Sequence, residues 1–333
     1  MESPISYRFL RLATKPTAEL SYSFLPGTGA SPQGAPLLVF INGLGLPQVS
    51  WTGVIHKLRE LRPDSCPPIL TYDRFGQGQT VDRDPNDEGA EDPMHAHDCL
   101  AAVGDLRQLI KQIAAEELKV DDVDSLPLVL VGNSVGCALA RIYAQQHKGT
   151  VAGVVLLDSV LANSDFVSII PDPDSPDFNP SEPLPEGITV EQLREARAVL
   201  DRTFHPKNGS KEGLSRKNLA ALLPHADEPK LPGIEGEKGP FLTVVGHDFE
   251  TFAQGSLAIG MPYSISIHYV NPYWHKYNQG LARLTEGGRS KGPLIASAAD
   301  HFIQRDRPHF VAVEVSEVLD KIAGELGVVT RES

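Results

Sequence analysis

The chain has 333 residues, of which 41% are hydrophobic, and Asp plus Glu outnumber Lys plus Arg by 43 to 30, for a formal net charge of −13. This length allows one large domain with an insertion or two small domains, and this charge disfavours nucleic acid and anionic lipid as partners. Three cysteines without C-x-x-C spacing predict neither a disulfide framework nor a zinc site, which favours a reducing, cytoplasmic location.

Apolar runs are short throughout the sequence. The longest have about six residues, far fewer than the roughly 20 that a membrane-spanning helix needs. Residues 1–6 contain no basic stretch followed by an apolar one, so no secretory signal is predicted. We therefore expect neither secretion nor membrane insertion.

Short apolar runs alternate with helical patterns, which predicts a mostly parallel sheet with helices on both faces. An antiparallel pair is predicted at the start, from residues 7–12 and 20–24. Six further strands are predicted at residues 37–41, 69–72, 128–131, 151–157, 241–245 and 294–298.

Two helices are predicted from apolar residues that recur at steps of three and four. The first stripe consists of Leu100, Val103, Leu106, Ile110 and Ile113. The second consists of Val311, Val315, Val318, Ile322 and Leu326. Both stripes are typical of helices that pack on a sheet, and we assign them no function.

The composition changes between the fourth and fifth of these six strands. Residues 169–189 are rich in Pro and Asp, and Thr189 with Gln192 forms a capping-box pattern that predicts a helix start. A second helix is predicted from about Glu212 to Leu223, where Pro follows.

We therefore predict a core of residues 1–158 and 241–333, with residues 159–240 inserted as a helical cap over the strand ends. Caps of this kind usually build the substrate pocket. The alternative is a solvated, Pro-rich excursion that carries two helices. Alternating apolar residues from Tyr263 to Tyr269 predict an extra strand or an interface edge, with a homodimer as an open alternative.

A strand, a G-x-S-x-G turn and a helix follow one another around Ser134. Such a turn is a nucleophile elbow, which holds the serine hydroxyl clear of the sheet and aims the next backbone N–H, that of Val135, at an oxyanion. A second donor is expected from the glycine-rich segment 42–45 after an early strand, and the Leu44 N–H is our candidate. The alternative for either segment is a turn without catalytic duty.

A serine hydroxyl needs a histidine to take its proton and a carboxylate to orient that histidine. His301 lies just past the last predicted strand, in a loop that ends at the same sheet edge as the elbow, and is the predicted base. Asp158 and Asp248 each follow a strand and keep the chain order Ser, Asp, His. We favour Asp158, and the other carboxylate would then cap a loop.

Metal and cofactor binding are not predicted. His95 and His97 form an H-x-H pair without an obvious third ligand, which favours a solvent-facing pair at a helix start. His247, His268 and His275 are candidates for the pocket lining, with packing or surface roles as the alternative.

These residues resemble the α/β-hydrolase superfamily over nearly the whole chain. The blocks that carry the resemblance are Phe40 to Gly45 with Trp51, Tyr72 to Gly78, Val131 to Gly136, Val155 to Asp158, and Asp300 to Pro308. The resemblance implies an eight-stranded, mostly parallel, doubly wound sheet with a cap after the sixth strand. The blocks look most like those of uncharacterised, capped fungal hydrolases.

Two features depart from the family pattern. The family often has His where Asn42 stands, which changes how the oxyanion loop is braced. Its commonest acid follows the seventh strand, usually further from the strand end than Asp248 lies. The segment from Trp274 to Leu284 is similar to that of a subgroup that lacks this acid and uses the strand-six Asp, which is why Asp158 is preferred.

The sequence predicts a cofactor-free serine hydrolase that cleaves an ester or lactone of a small, mainly apolar molecule. Ser134 at the elbow argues against the dehalogenases and epoxide hydrolases of this fold, which use an aspartate there. One alternative is C–C bond hydrolysis, or a lyase or cyclisation step, with the same triad. Another is a ligand-binding protein with little turnover.

Overall fold

A computed structural model of the protein describes residues 5–29, 35–234 and 238–332, with side chains up to residue 325. Eight strands form the main sheet, in the order β1-β2-β4-β3-β5-β6-β7-β8. Their bounds are Arg8–Leu12, Lys15–Leu25, Leu37–Ile41, Ile69–Tyr72, Leu128–Ser134, Val151–Ser159, Phe241–His247 and Ser290–Ala296. Strand β2 runs antiparallel to both its neighbours, and the other neighbouring strands are parallel. The predicted α/β fold is confirmed.

Helices cover both faces of this sheet. Their bounds are α1 Thr52–Leu61, α2 Cys99–Ile113, α3 Val135–Gln146, α4 Val190–Thr203, α5 Leu219–Leu222, α6 Phe249–Ser256, α7 Tyr263–Ile265, α8 Asn271–Leu281, α9 Ile303–Asp306 and α10 Pro308–Glu332. Within the described ranges, no helix combines the length and the apolar character needed to cross a membrane.

Strand β3 shows how the sheet divides the core. All five of its residues are buried, because a parallel sheet covered on both faces buries every side chain of its central strands. Leu37, Val39 and Ile41 belong to the core that includes α2 and α3. Leu38 and Phe40 belong to the core that includes α1 and α10.

The chain leaves the sheet between β6 and β7, which confirms an insertion after the sixth strand. The insertion contains α4 and α5, and Thr189 and Gln192 form both hydrogen bonds of the predicted capping box. Its residues Leu214–Ser215 pair with His97–Asp98 in a second, two-stranded sheet. The division at residues 158 and 240 into core and cap stays a prediction.

Several local predictions were wrong. The helix expected from about Glu212 is limited to α5, and the residues before it form the short strand and loop because they bind other parts of the chain. Residues 263–270 are helical, so their alternation does not mark a strand. Strand β8 starts four residues before the predicted 294. Leu100 is 38% exposed and lies outside the α2 stripe, while the Leu326 side chain is outside the described residues.

Candidate active site

Ser134 occupies a strained turn between β5 and α3. Its φ is 55° and its ψ is −122°, a region that residues with a side chain rarely adopt. Because the chain reverses here within one residue, the side chain stands at the strand end and precedes the N-terminus of α3. This backbone is the one that the predicted nucleophile elbow requires.

The two glycines of the elbow are required by space. A Cβ at Gly132 would lie 2.6 Å from the carbonyl carbon of Gly136, and a Cβ at Gly136 would lie 2.3 Å from the carbonyl oxygen of Ile41. Both distances are far below normal contact, so α3 packs against β3 and β5 only with hydrogen at these positions. The G-x-S-x-G spacing therefore has a steric origin.

Asn133 joins the elbow to two other loops. Its Nδ2 donates to the carbonyl of Leu157 at 3.1 Å and to the carbonyl of His301 at 3.0 Å. Its Oδ1 accepts from Gln304 at 3.2 Å. The residue before Ser134 thus fixes the end of β6 and the loop after β8 relative to the elbow.

His301 and Asp158 are hydrogen-bonded to each other. Nδ1 of His301 lies 2.5 Å from Oδ2 of Asp158, which is fully buried at the end of β6 with a φ of 43°. The carboxylate holds the proton on Nδ1, so Nε2 is the nitrogen able to accept one. Among the described residues no hydrogen bond joins the Ser134 hydroxyl to this ring, and such contacts are often loose without substrate.

Asp248 has a different environment. It is the N-cap of α6, where its Oδ1 accepts from the backbone N–H of Thr251 at 3.0 Å and its Oδ2 accepts from the N–H of Ala298 at 3.2 Å. These are the contacts of a capping carboxylate. The structure brings Asp158, not Asp248, to His301.

A second histidine contacts the same aspartate. Nδ1 of His247, the last residue of β7, lies 2.8 Å from Oδ1 of Asp158, and its Nε2 lies 3.1 Å from Oδ1 of Asn271. Burial alone would raise the pKa of Asp158, but the charge and hydrogen bonds of His247 and His301 lower it to about 2. From the sequence, His247 is predicted only to line the pocket, with packing or surface roles as the alternative. Its position at the end of β7, beside Asp248, was the available signal.

The predicted oxyanion loop follows β3 and is held by Arg74. This guanidinium donates to the carbonyls of Asn42 at 2.8 Å and Gly43 at 2.9 Å. It is also paired in two places with Glu212 of the insertion, at 2.8 and 3.1 Å. Glu212 in turn accepts from the Gly45 N–H at 3.0 Å, so the loop that carries Leu44 is fixed on both sides. Neither charged residue was predicted from the sequence to act on this loop.

Asn42 stands where the family often has His, and both polar atoms of its side chain form hydrogen bonds. Its Nδ2 donates to the Tyr72 carbonyl at 2.7 Å and to Gln77 at 3.0 Å, and its Oδ1 accepts from the Trp51 indole at 2.8 Å. These bonds attach the start of the loop to the end of β4 and to Trp51, the N-cap residue of α1. The substitution therefore keeps the backbone of the loop in place by side-chain hydrogen bonds.

Aromatic side chains surround the two histidines. The Trp274 ring lies 5.6 Å from that of His301 and 5.4 Å from that of His247, and its Nε1 donates to the Ser159 carbonyl at 2.8 Å. Phe166 of the insertion lies 6.1 Å from Trp274. The surroundings of the base are therefore largely apolar.

The two histidines of the H-x-H pair have different neighbours in the structure. His95 hydrogen-bonds to Ser215 and to the Lys207 carbonyl, whereas His97 lies with Asp84 and Asp87 in a group whose ligand atoms are within 4.8 Å of one another. This group has the composition of a metal site, but Lys15 lies 2.5 Å from Asp84. A metal ion there would compete with that ammonium group.

The family model described as "Alpha/beta hydrolase family" matches residues 38–315, which include every candidate residue above. The chain belongs to the alpha/beta hydrolase family. No curated protein matches the sequence significantly.

Solved structures agree with this fold. A putative lipase from Acinetobacter baumannii AYE is 15% identical, with a TM-score of 0.54, over 97% of this chain and 93% of the lipase. An epoxide hydrolase from Vigna radiata is 13% identical, with a TM-score of 0.52, over 96% of this chain and 99% of the hydrolase. At these identities the likeness shows the fold alone.

Proposed function

We propose that this member of the alpha/beta hydrolase family is a serine hydrolase that cleaves an ester or lactone of a small, mainly apolar molecule. The observation that carries the proposal is the hydrogen bond from His301 to the buried Asp158, at the sheet edge where the elbow holds Ser134. Membership of the family supports hydrolysis as the reaction class. The serine at the elbow supports acyl transfer, because a serine forms an acyl-enzyme.

In this mechanism the Ser134 oxygen attacks the substrate carbonyl while His301 Nε2 takes the hydroxyl proton. Asp158 stabilises the imidazolium that forms, and the N–H groups of Leu44 and Val135 stabilise the oxyanion. The imidazolium then gives its proton to the leaving alcohol, which leaves an acyl-enzyme. Water then attacks the acyl carbonyl while His301 takes its proton. The imidazolium returns that proton to the Ser134 oxygen as the acid is released.

The aromatic surroundings support an apolar substrate. The Trp274 ring lies 5.6 Å from that of His301, and Phe166 of the insertion packs on Trp274 with ring centroids 6.1 Å apart. Such surfaces gain free energy by covering apolar groups of a ligand. We therefore propose a small molecule as the partner, with neither nucleic acid nor membrane, and a homodimer as the form of any self-association.

A cytoplasmic location is also a proposal. It rests on Cys66, Cys99 and Cys137, which are all free and buried. Free thiols persist in reducing compartments.

The first test is labelling of the native protein with a fluorophosphonate, read by mass spectrometry, beside the Ser134→Ala and His301→Ala variants. We expect one adduct on Ser134 that requires His301, because the reagent reports an activated serine. His309→Asn is the matched control, because this histidine is exposed on α10 and should not affect labelling. A panel of small esters and lactones would then identify the bond cleaved.

Different outcomes separate the rival functions. Suppose that Ser134 is labelled and no ester or lactone is hydrolysed, but a substrate is converted to products with a cleaved or rearranged carbon skeleton. This result would favour C–C hydrolysis, lyase or cyclase chemistry on the same triad. Tight ligand binding with no adduct and no product would favour a receptor-like protein. An adduct elsewhere on the chain would contradict the assignment of Ser134.

A further inference from the structure

Asp158 has two histidine partners, one on each carboxylate oxygen. His301 lies on Oδ2 at 2.5 Å and His247 on Oδ1 at 2.8 Å. A triad needs only one of these contacts, and His247 is only 2% exposed and does not face solvent. The second histidine therefore needs an explanation beyond the triad.

The contacts of His247 determine its protonation. Its Nδ1 faces the carboxylate of Asp158, which accepts hydrogen bonds. Its Nε2 faces Oδ1 of Asn271, and the orientation of that amide is fixed because its Nδ2 donates to the carbonyl of Phe249 at 2.9 Å. Both ring nitrogens therefore face acceptors, and both must carry a proton to satisfy them.

We propose that His247 is a positioning residue that remains an imidazolium and shares the charge of Asp158 with His301, which keeps the catalytic base neutral to lower pH. This inference rests on the proposed function, since it concerns the same base. His247 does not touch the reacting atoms and acts through Asp158.

The charge balance gives the direction of the effect. With His247 as a cation, Asp158 is already compensated, so protonation of His301 would place a second positive charge on one carboxylate. Like charges repel, so the cation on His247 opposes the placing of a second positive charge on His301. A base that stays neutral can accept the Ser134 proton at a more acidic pH.

The surroundings of His247 support a single, held orientation. Phe252 of α6 stacks on its ring at 4.0 Å with an angle of 18°, and Trp274 of α8 meets it edge-on. Asp158 at the end of β6 contacts its ring, Asp300 in the loop after β8 acts on it through its charge, and His301 in the same loop shares Asp158 with it. Burial opposes its charge, yet these carboxylates raise the pKa of His247.

The deciding variant is His247→Asn, because the Asn amide can replace Nδ1 as a donor to Asp158 without carrying a charge. The measurement is the rate of fluorophosphonate labelling of Ser134 from pH 5 to 9, with His309→Asn as the matched control. We expect the acid limb of the His247→Asn profile to move up by about one pH unit, which makes labelling about tenfold slower below both midpoints. A variant that lowers the plateau but leaves the limb in place would overturn the proposal.

A second measurement needs no reactivity and no variant. Nitrogen-detected NMR of the histidine rings in the wild-type protein should show both nitrogens of His247 protonated at pH 7. An unprotonated ring nitrogen on His247 would overturn the proposal even if Ser134 is labelled. If His247 is doubly protonated but no fluorophosphonate labels the protein, the result would contradict the proposed function and still support the charge on the His247 ring.

Discussion

Glu212 and Arg74 form a buried ion pair that connects the insertion to the predicted oxyanion loop. Their side chains are 2% and 4% exposed, and they meet through two hydrogen bonds. Arg74 also donates to two carbonyls of the loop, and Glu212 accepts from the Gly45 N–H. The insertion therefore supplies a charge that holds the loop.

Glu212→Gln should lower both stability and reactivity. The amide keeps the shape of the side chain but leaves the buried charge of Arg74 without its partner, which costs about 3 kcal/mol of unfolding free energy. The loop should also lose its fixed position, so labelling of Ser134 should slow by about tenfold. Urea unfolding and fluorophosphonate labelling measure the two effects.

Glu186→Gln is the control for this prediction, because Glu186 is an exposed residue of the same insertion. It should change neither stability nor labelling. Wild-type labelling by a folded Glu212→Gln protein would show that the ion pair does not support the oxyanion loop.

Asp158→Asn and Asp248→Asn should separate the two candidate acids. Asn at 158 cannot hold the required tautomer of His301, so labelling of Ser134 should fall by roughly four orders of magnitude. Asn at 248 remains a good helix cap, so that variant should label normally and lose no more than about 1 kcal/mol of stability. The opposite ranking of the two labelling rates would make Asp248 the acid.

Much of the fold was predictable because its signals are local. The strands read as short apolar runs, and the steric demand around Ser134 is written in the sequence as Gly132 and Gly136. Insertion of a segment after the sixth strand was visible as a change in composition. The structure around Glu212 was not predictable, since these residues adopt a conformation set by contacts with Arg74, about 140 positions away.

The candidate site was predictable only as far as its motifs reach. Ser134 and His301 lie in loops whose place at the sheet edge follows from topology, and the structure brings Asp158 to His301. His247 could not be predicted as a second partner, because its contact with Asp158 depends on the register of β6 beside β7. That register aligns Leu157 with Val245 and is not encoded in either strand alone.

The paired charges of Asp158 and His247 should make the free energy of unfolding depend on pH in two ranges, one acidic and one near and above neutral pH. The pKa of Asp158 is lowered to about 2, so its contribution is present above the unfolded value of about 3.9 and is lost as the pH falls through about 2. The pKa of His247 is raised, so its contribution is complete below about 6.5 and is lost as the pH rises through the folded value.

Urea unfolding from pH 5 to 9 tests the range in which the contribution of His247 is lost. The difference in unfolding free energy between wild type and His247→Asn should shrink as the pH rises above about 6.5, whereas His309→Asn should track the wild type. A difference that stays constant across this range would mean that the folded state does not bind an extra proton at His247.

Gly136→Ala and Gly104→Ala should have opposite effects on stability. The new methyl group at 136 would lie 2.3 Å from the Ile41 carbonyl oxygen, so α3 must move. The free energy of unfolding should fall by at least about 2 kcal/mol, and labelling at Ser134 should be lost. Gly104 is an exposed residue of α2 with no atom within 4 Å of its added methyl group, so Ala there should stabilise the protein by about 0.5 to 1 kcal/mol through helix propensity. Thermal unfolding of both variants measures the contrast, and a Gly136→Ala protein as stable and as reactive as wild type would show that the elbow does not require the close contact between α3 and β3.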